Sequence, residues 1–508
     1  MMVKLRICTT FVASLMLMSL FPLLSVAAQD QCVRVLGYES DGEKQSMDPA
    51  ELLGTDNTYH IQAVYEPLVD RDSAMQPYPV LANSWESNSD GTVWTFYLRQ
   101  GVTFHDGTAF DSGDVVYSIQ RILDPNISPG GSQVFGFLTG AKIEAIDTYT
   151  VRITLPQPVV ELPLLIATKY SMIVPEGAQA EDLRVHGVGT GPFMQEEFTI
   201  NGPVRILRRN PNYWQAGLPI AECLEIRVIT ESMSRAAAIM NGEADLALVV
   251  DPVTLTTLGD NSDVNLISTS GATALFLAMW TDTPPFDDVR VRTAMKLVVD
   301  REAIVETVLL GYGEPGNDVP IPPSSPNAYR SDIKVQDIGK AKELLAEAGY
   351  PNGLDVDLYT SDSFSGMKLL AEVYAEMAKE AGIRVNVVNT PVEGYWDTIW
   401  LKYPLVISYM AARPPGEALA NTYLTTSPWN ETHWYSDEYD ALLNQANATV
   451  DPVQRRELYQ EAQRIISEDG GNVLPAFAVT VSALRKGCSG FQPHVDVNRI
   501  DYRHLQCD

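Results

Sequence analysis

The clearest alternation of apolar and polar residues lies in the segment 80–123. After an Asp-Gly turn dipeptide, the residues of 93–98 place their side chains alternately on opposite faces, which predicts a β-strand in a hairpin. From Asp111 onwards the apolar residues follow helical spacing instead. Asp111 can cap this helix, because a second acidic residue, Asp114, occupies the third helical position. The segment therefore predicts a hairpin that leads into a helix.

Strands and helices alternate through the second half of the chain. Apolar residues on one face predict helices over 337–348 and 370–381, and alternating residues predict strands over 354–359 and 384–388. A further helix is predicted to begin after Asp451, where proline follows a capping residue. This alternation is typical of an α/β fold with mixed sheets.

The first 28 residues have the pattern of an export signal. Lys4 and Arg6 precede a mostly apolar run at 11–24, and a group of small residues ends at Ala28. A membrane anchor is the alternative, but the apolar run is short for a bilayer span. We expect export from the cytoplasm and cleavage near Ala28.

Composition and charge narrow the classes of function. The formal net charge is −29 in 508 residues, which disfavours binding to nucleic acid or to anionic membranes. The length is enough for two or three domains with a large core. No zinc-protease, dithiol, nucleophile-elbow or phosphate-loop motif occurs, and the six histidines are scattered. We therefore expect a freely diffusing soluble protein, and no feature of the sequence supports an enzyme or calls for a cofactor.

The hairpin-and-helix segment also resembles a family signature. Residues 81–125, LANSWESNSDGTVWTFYLRQGVTFHDGTAFDSGDVVYSIQRILDP, are similar to the extracytoplasmic solute-binding proteins of ABC importers for peptides, nickel and opines, known as family 5. GTGPF at 189–193, RNPNYW at 209–214 and PPFDDVRVRTAMKLVVDREAIV at 284–305 resemble the same family. The chain is identified as a member on these segments, which are spread over most of its length.

The resemblance implies an α/β fold of the periplasmic-binding-protein type, a two-lobed clamshell with mixed sheets and a small inserted extra domain. The implied boundaries are 1–28 for the signal peptide; 29–66, 182–271 and 480–508 for the first lobe; 67–181 for the inserted small domain; and 272–479 for the second lobe. On this division the chain crosses between the large lobes twice, near Gly271 and near Thr480. Hinge closure around a ligand is then the expected motion.

Four cysteines remain after cleavage near Ala28, and an oxidising compartment favours disulfides among them. Four cysteines allow three pairings. The resemblance places all four in the first lobe and favours Cys32 with Cys223 and Cys488 with Cys507. Four buried free thiols are the alternative. The residues before Cys32 are not the small ones of a lipid-attachment site, so no lipid anchor is expected.

The resemblance also indicates where a ligand would bind. In the peptide-binding members an acidic residue pairs with the amino terminus of the peptide, because a buried ammonium needs a carboxylate partner. The matching position here is Ala412, and its neighbour Arg413 can bind a carboxylate, a phosphate or a sugar acid with two hydrogen bonds. Glu417 or Asp362 could replace the missing acid. The alternative role of Arg413 is a salt bridge at the surface or between the lobes.

The other candidates are aromatic residues or lie on the facing side of the implied cleft. Trp396 and Trp429 could stack on a ligand, and their alternative role is that of core aromatics. The full set of ligand-binding candidates is Leu53, Gly54, Thr55, Thr273, Asp362, Trp396, Tyr409, Ala412, Arg413, Glu417 and Trp429. No metal ligand is proposed among them.

The function implied by the resemblance is that of a solute receptor. We expect the protein to capture a peptide or a peptide-sized solute between the lobes and to deliver it to an ABC permease, whose transmembrane subunits work with a cytoplasmic ATPase. Alternatives are a non-peptide ligand, such as an opine, an oligosaccharide or an acidic solute, and carriage of nickel or haem. A periplasmic enzyme or chaperone-like protein is a further alternative. A monomer without a nucleic-acid partner is expected.

Overall fold

Two large sheets and one smaller sheet form the frame of the molecule. The computed structural model describes residues 32–37, 46–52, 58–200, 202–229, 231–269, 273–330, 332–497 and 499–508. The expected signal peptide and the candidates Leu53, Gly54 and Thr55 lie outside these ranges. None of the helices within these ranges combines the length and the apolar character that a bilayer crossing requires.

The elements of the described ranges are as follows. The strands are β1 (Val33–Gly37), β2 (Val69–Arg71), β3 (Pro77–Pro79), β4 (Ala82–Ser87), β5 (Val93–Leu98), β6 (Lys142–Asp147), β7 (Thr150–Thr154), β8 (Phe193–Glu197), β9 (Val204–Arg209), β10 (Cys223–Val228), β11 (Leu246–Ala247), β12 (Val264–Ser268), β13 (Thr273–Met279), β14 (Gly313–Pro315), β15 (Leu354–Thr360), β16 (Ile383–Asn389), β17 (Leu405–Met410), β18 (Asn472–Ala478), β19 (Val481–Arg485), β20 (Cys488–Ser489) and β21 (Gln506–Cys507). The α-helices are α1 (Thr58–Val64), α2 (Ser112–Leu123), α3 (Pro129–Val134), α4 (Leu162–Leu165), α5 (Ala180–Leu183), α6 (Ser232–Met240), α7 (Pro252–Gly259), α8 (Val289–Leu297), α9 (Arg301–Val308), α10 (Ile338–Glu347), α11 (Met367–Lys379), α12 (Tyr395–Thr398), α13 (Pro415–Tyr423), α14 (Asp437–Ala448) and α15 (Pro452–Asp469). Short 3₁₀ turns span Pro49–Glu51 and Gly136–Leu138.

The first large sheet has the strand order β12-β19-β11-β1-β10-β9-β8. Its centre, β1, runs parallel to both β10 and β11, whereas β9 and β19 run antiparallel to their neighbours. Val33, Val35 and Leu36 of β1 are buried, as expected of a central strand covered on both faces. The sheet is therefore mixed.

The second large sheet has the order β14-β18-β13-β17-β15-β16. All seven residues of β13 are buried, because this apolar strand lies between β17 and β18 and both faces of the sheet are covered. Leu275 and Leu277 belong to the core on one face, and Ala274 and Phe276 belong to the core on the other. Strand β15 pairs in parallel with β16 and β17, whereas β13 runs antiparallel to its neighbours, so this sheet is also mixed.

The chain passes between the two large sheets twice. It leaves the first sheet after β12 and enters the second at β13, through a connection that includes residues 270–272, which are not described. It returns between β18 and β19, which are separated by Val479 and Thr480 only. The two passages are neighbours in space, because Thr273 of β13 pairs with Ala478 of β18.

The predicted hairpin and helix are confirmed. β4 and β5 form the hairpin, and with β7 and β6 they make a four-stranded antiparallel sheet. Helix α2 begins after Asp111, which accepts a hydrogen bond from the backbone N–H of Gly113 at 2.7 Å. The backbone N–H of Asp111 in turn donates to the carboxylate of Asp114 at 2.8 Å, which completes the predicted capping box.

The predicted alternation in the second half is confirmed as well. Helices α10 and α11 and strands β15 and β16 occupy the four predicted positions within a few residues. Helix α15 begins with Pro452, and its cap Asp451 accepts hydrogen bonds from two backbone N–H groups of the first turn. The disulfides Cys32–Cys223 and Cys488–Cys507 match the pairing that the resemblance favours.

Candidate functional site

The segment that follows β17 carries three of the candidate residues. The end of β17 lies beside the start of β13, since Met410 pairs with Ala274. The chain then leaves the sheet, and helix α13 begins at Pro415, a residue suited to the first helical position. Ala412 and Arg413 therefore lie at the edge of the second sheet, near both passages to the first one.

Arg413 is partly exposed and only loosely paired. Its side chain is 22% exposed, and its guanidinium carbon lies 5.4 Å from the centroid of the Trp429 ring. This distance is within the range of a cation–π contact. Its Nη1 atom is 3.7 Å from Oε1 of Glu417, which lies four residues later in the first turn of α13, and this distance is too long for a hydrogen bond.

The carboxylate of Glu417 is committed to another arginine. Its Oε2 atom accepts a hydrogen bond from Nη1 of Arg71 at 2.9 Å, and both side chains are buried. Arg71 also donates to Asp496 at 3.0 Å. Burial lowers the pKa of Arg71, but the carboxylates of Glu417 and Asp496 outweigh that effect and raise it above its ordinary value.

Trp429 lies where two parts of the molecule meet. It follows helix α13 in the chain, yet it packs against the core formed by the first large sheet and the four-stranded sheet. Its position next to Arg413 places an aromatic face and a cation side by side at this boundary. The structure thus brings Arg413, Glu417 and Trp429 together.

A second group of candidates packs against the larger core of the second sheet. The ring of Tyr409 stacks on Phe364 with 3.9 Å between centroids and meets the ring of Trp396 edge-on at 5.4 Å. These rings pack against the larger core of the second sheet, together with Trp400. Trp396 therefore has the core contacts of its alternative role.

The remaining candidates have other surroundings. Asp362 has a side chain that is 64% exposed, and its carboxylate lies 3.8 Å from the Lys368 ammonium. Ala412 is buried and supplies no charge. Thr273 is buried in β13, and within the part of the chain that the structure describes its hydroxyl has no hydrogen-bond partner.

Glu431 is a buried acid of this region that sequence reasoning missed. It is 5% exposed, and its Oε2 atom accepts a hydrogen bond from the indole N–H of Trp400 at 2.7 Å. Burial raises the pKa of Glu431 to about 7, although hydrogen bonds from Trp400 and Ser408 and the charge of Arg413 act in the opposite direction. The local stretch, Trp429 to Trp434, has the pattern of a polar turn, so only its position two residues after Trp429 could have drawn attention to it.

A cavity of about 260 Å³ adjoins the Arg71 ion pairs. It is lined by residues that follow α1, by the β2–β3 hairpin and by the C-terminal segment, including Arg71, Tyr78, Arg499 and Tyr502. None of the ligand-binding candidates lines it. Among the described residues, the one cluster with metal-ligand geometry is Asp245, Cys488 and Cys507, and its two cysteines are joined in a disulfide.

The family follows from comparison with known proteins. Residues 76–431 match the model of the bacterial extracellular solute-binding proteins, family 5. The chain belongs to this family. Its members are solute-binding components of ABC importers, so the expected receptor role and the two-lobed mixed α/β fold are both confirmed.

Relatives of this solute-binding protein cover nearly its whole length. The glutathione-binding protein GsiB of Shigella flexneri serotype 5b (strain 8401) is 28% identical over 463 residues, with 88% of this chain and 89% of that protein covered. The structure of AgaA from A. tumefacien R10 in complex with agropinic acid has a TM-score of 0.80 at 26% identity and covers 94% of this chain and 98% of that one. The periplasmic binding protein DppA from Helicobacter pylori, in complex with the peptide STSA, has a TM-score of 0.81 at 26% identity, with coverages of 93% and 98%.

Proposed function

We propose that this solute-binding protein captures a peptide-sized solute through a carboxylate group, which Arg413 binds, and delivers it to the permease of an ABC importer. The observation that carries the proposal is that the Arg413 guanidinium is partly exposed and has no carboxylate within hydrogen-bond distance among the described residues. Its guanidinium lies against the Trp429 ring, stays partly exposed, and has its acidic neighbour Glu417 at 3.7 Å. A guanidinium in this state can bind a ligand carboxylate with two parallel hydrogen bonds.

The acids that could bind a ligand ammonium are less well placed. The family position for such an acid is the buried Ala412. Glu417 is bound to Arg71, Asp362 is largely exposed beside Lys368, and Glu431 is held by Trp400. A carboxylate of the solute is therefore a better anchor than its amino group.

The named ligands of the relatives support this chemistry. GsiB is named for glutathione, and AgaA was solved with agropinic acid. Both compounds carry carboxylates, and both are in the size range of a short peptide. We place this protein's solute in the same chemical class, with a peptide and an opine as its two concrete forms.

The experiment is a calorimetric titration of the mature protein with matched ligands. Di- and tripeptides are offered as the free form, the N-acetylated form and the C-amidated form, together with glutathione, opines and a neutral oligosaccharide. Binding should survive acetylation and be lost on amidation, because only the second change removes the carboxylate. A ligand that binds equally well after amidation would contradict the proposal.

The matched variants test the residue. Arg413→Ala should weaken binding by tenfold or more, which corresponds to about 1.4 kcal/mol. Arg384→Ala removes an exposed arginine that pairs with Asp355 and should leave the affinity unchanged. Equal affinity in Arg413→Ala and in the unchanged protein would remove Arg413 from the site.

The cellular setting is part of the same proposal. We propose that export removes residues 1–28, that the mature protein is a periplasmic monomer, and that 29–66, 182–271 and 480–508 form one lobe and 272–479 the other, with 67–181 inserted. The intact mass of protein purified from an exporting host tests the cleavage site, and native mass spectrometry tests the monomer. A mass that retains the first 28 residues would contradict cleavage.

A further inference from the structure

Glu417 lies between two arginines that come from distant parts of the chain. Its Oε1 atom is 3.7 Å from Nη1 of Arg413, which lies just before α13, and its Oε2 atom accepts a hydrogen bond from Nη1 of Arg71 at 2.9 Å. Arg71 ends strand β2, 346 residues away in sequence. The position of the Glu417 carboxylate therefore depends on the relative strength of its interactions with the two guanidinium groups.

Arg71 is held too firmly to follow Glu417. It is 4% exposed, and its second terminal nitrogen donates to Asp496, 425 residues away, at 3.0 Å. A buried guanidinium is stabilised by carboxylates that compensate its charge, and Arg71 has two such partners. Asp496 and the adjoining Arg499, which pairs with Asp70, fix Arg71 against the C-terminal segment.

The first turn of α13 is held from a second side. Tyr459 donates its hydroxyl hydrogen to Glu161 at 2.9 Å, and the guanidinium of Arg455 lies 3.3 Å from the same carboxylate. A β-carbon added at Gly416 would lie 2.6 Å from the Tyr459 hydroxyl oxygen, so the helix start fits closely against this contact. Arg71 of β2 thus binds Glu417, while Tyr459 of α15 lies close to the neighbouring Gly416.

We propose that Arg71 is a positioning residue for the solute site, because its hold on Glu417 keeps that carboxylate away from Arg413 and leaves the Arg413 guanidinium free for the solute. The role of Arg413 toward a solute carboxylate rests on the proposed function. The control of Glu417 by Arg71 rests on the geometry alone. Without Arg71, Glu417 would turn to Arg413 and compete with the solute.

The test follows the position of Arg413 without any ligand. The indole N–H signal of Trp429 is measured in ¹⁵N-labelled protein and assigned by its loss in Trp429→Phe. Arg71→Met should shift this signal, because Arg413 moves relative to the ring when Glu417 pairs with it. Arg71→Lys should shift it less, since an ammonium can still hold Glu417.

A rescue variant separates positioning from a general structural effect. In Arg71→Met/Glu417→Gln the competing carboxylate is gone, so the Trp429 signal should return toward that of the unchanged protein. Arg235→Met is the matched control, because Arg235 has a similarly buried side chain that pairs with Asp251, and it should leave the signal in place. Circular dichroism checks that Arg71→Met and Arg71→Lys are folded. If the chemical shift of the Trp429 indole N–H is unchanged in both folded variants, the proposal is overturned.

Titration with glutathione, the named ligand of the relative GsiB, gives the second readout. If it binds, Arg71→Met should weaken its binding about tenfold and the double variant should recover most of the loss. No recovery would overturn the competition by Glu417. If neither glutathione nor any other compound of the calorimetric titration binds, the proposed function is wrong. The Trp429 signal still tests the role of Arg71 in that case.

Discussion

The buried side chain of Glu431 should make the stability of the protein depend on pH. Its carboxyl group is buried beside Trp400 and Ser408, and the Arg413 guanidinium compensates its charge only in part. Burial therefore raises its pKa to about 7, from an ordinary value of 4.5. The folded protein holds the proton more tightly than the unfolded chain, so its stability must depend on pH in the range between these two values.

The sign of that dependence follows from which state ionises first. Below about pH 4.5 the group is protonated in both states and costs nothing. As the pH rises toward 7, the unfolded chain ionises first, so the free energy of unfolding falls and then levels off above pH 7. Glu431→Gln stays neutral at every pH and should be more stable than the unchanged protein at pH 8, by about 1–3 kcal/mol, with little difference at pH 4.5.

Urea unfolding at pH 4.5, 6 and 8 measures this difference. The control is Glu243→Gln, which removes an exposed carboxylate and should leave the dependence on pH unchanged. If Glu431→Gln lost the same free energy of unfolding between pH 4.5 and 8 as the unchanged protein, the assignment of the titration to Glu431 would be wrong.

At the scale of elements, the start of α2 depends on one capping residue. Asp111 accepts from the N–H of Gly113, and Asp114 accepts from the N–H of Asp111. Asp111→Ala leaves a donor of the first turn unsatisfied and should lower the free energy of unfolding by about 1 kcal/mol. Asp111→Asn keeps an acceptor oxygen at the same place and should lose much less. Urea unfolding of the two variants side by side would contradict the prediction if both lost the same amount.

The same local signals explain which elements could be predicted from the sequence. The hairpin of β4 and β5, the helix α2 and the α10–β15–α11–β16 succession each carry their own periodicity and end signals, so neighbouring residues determine them. Ala412 and Arg413 are candidates for ligand binding because their segment matches a motif of the family.

The contacts around the candidate site could not be predicted in this way. In the sequence, Arg71 is a charged residue in a stretch typical of turns, and no local pattern distinguishes it. Its pairing with Glu417 depends on packing between segments that are 346 residues apart. Glu431 lies in a polar turn, and its burial follows from the placement of Trp400 and β17. Neither position shows a periodicity that would mark it as buried.

At the scale of the whole molecule, the two disulfides constrain very different lengths of chain. Cys32–Cys223 joins the start of β1 to β10 and closes a loop with a sequence separation of 191, whereas Cys488–Cys507 closes one of only 19. A cross-link stabilises the fold mainly by restricting the unfolded chain, and the effect grows with the logarithm of loop length. The first disulfide should therefore contribute more than the second.

Replacing each disulfide by a pair of alanines tests this order. The chain-entropy relation gives a loss of up to about 5 kcal/mol for Cys32→Ala/Cys223→Ala and up to about 3 kcal/mol for Cys488→Ala/Cys507→Ala. Urea unfolding without reductant measures both, and reductant should bring the unchanged protein to the stability of a variant that lacks both cross-links. Because β1 is central to the first sheet, loss of the Cys32–Cys223 disulfide should also cause faster amide hydrogen exchange in β1, β10 and β11. A larger loss from the short loop than from the long one would show that strain or contacts in the folded state, and not the restriction of the unfolded chain, determine what these cross-links contribute.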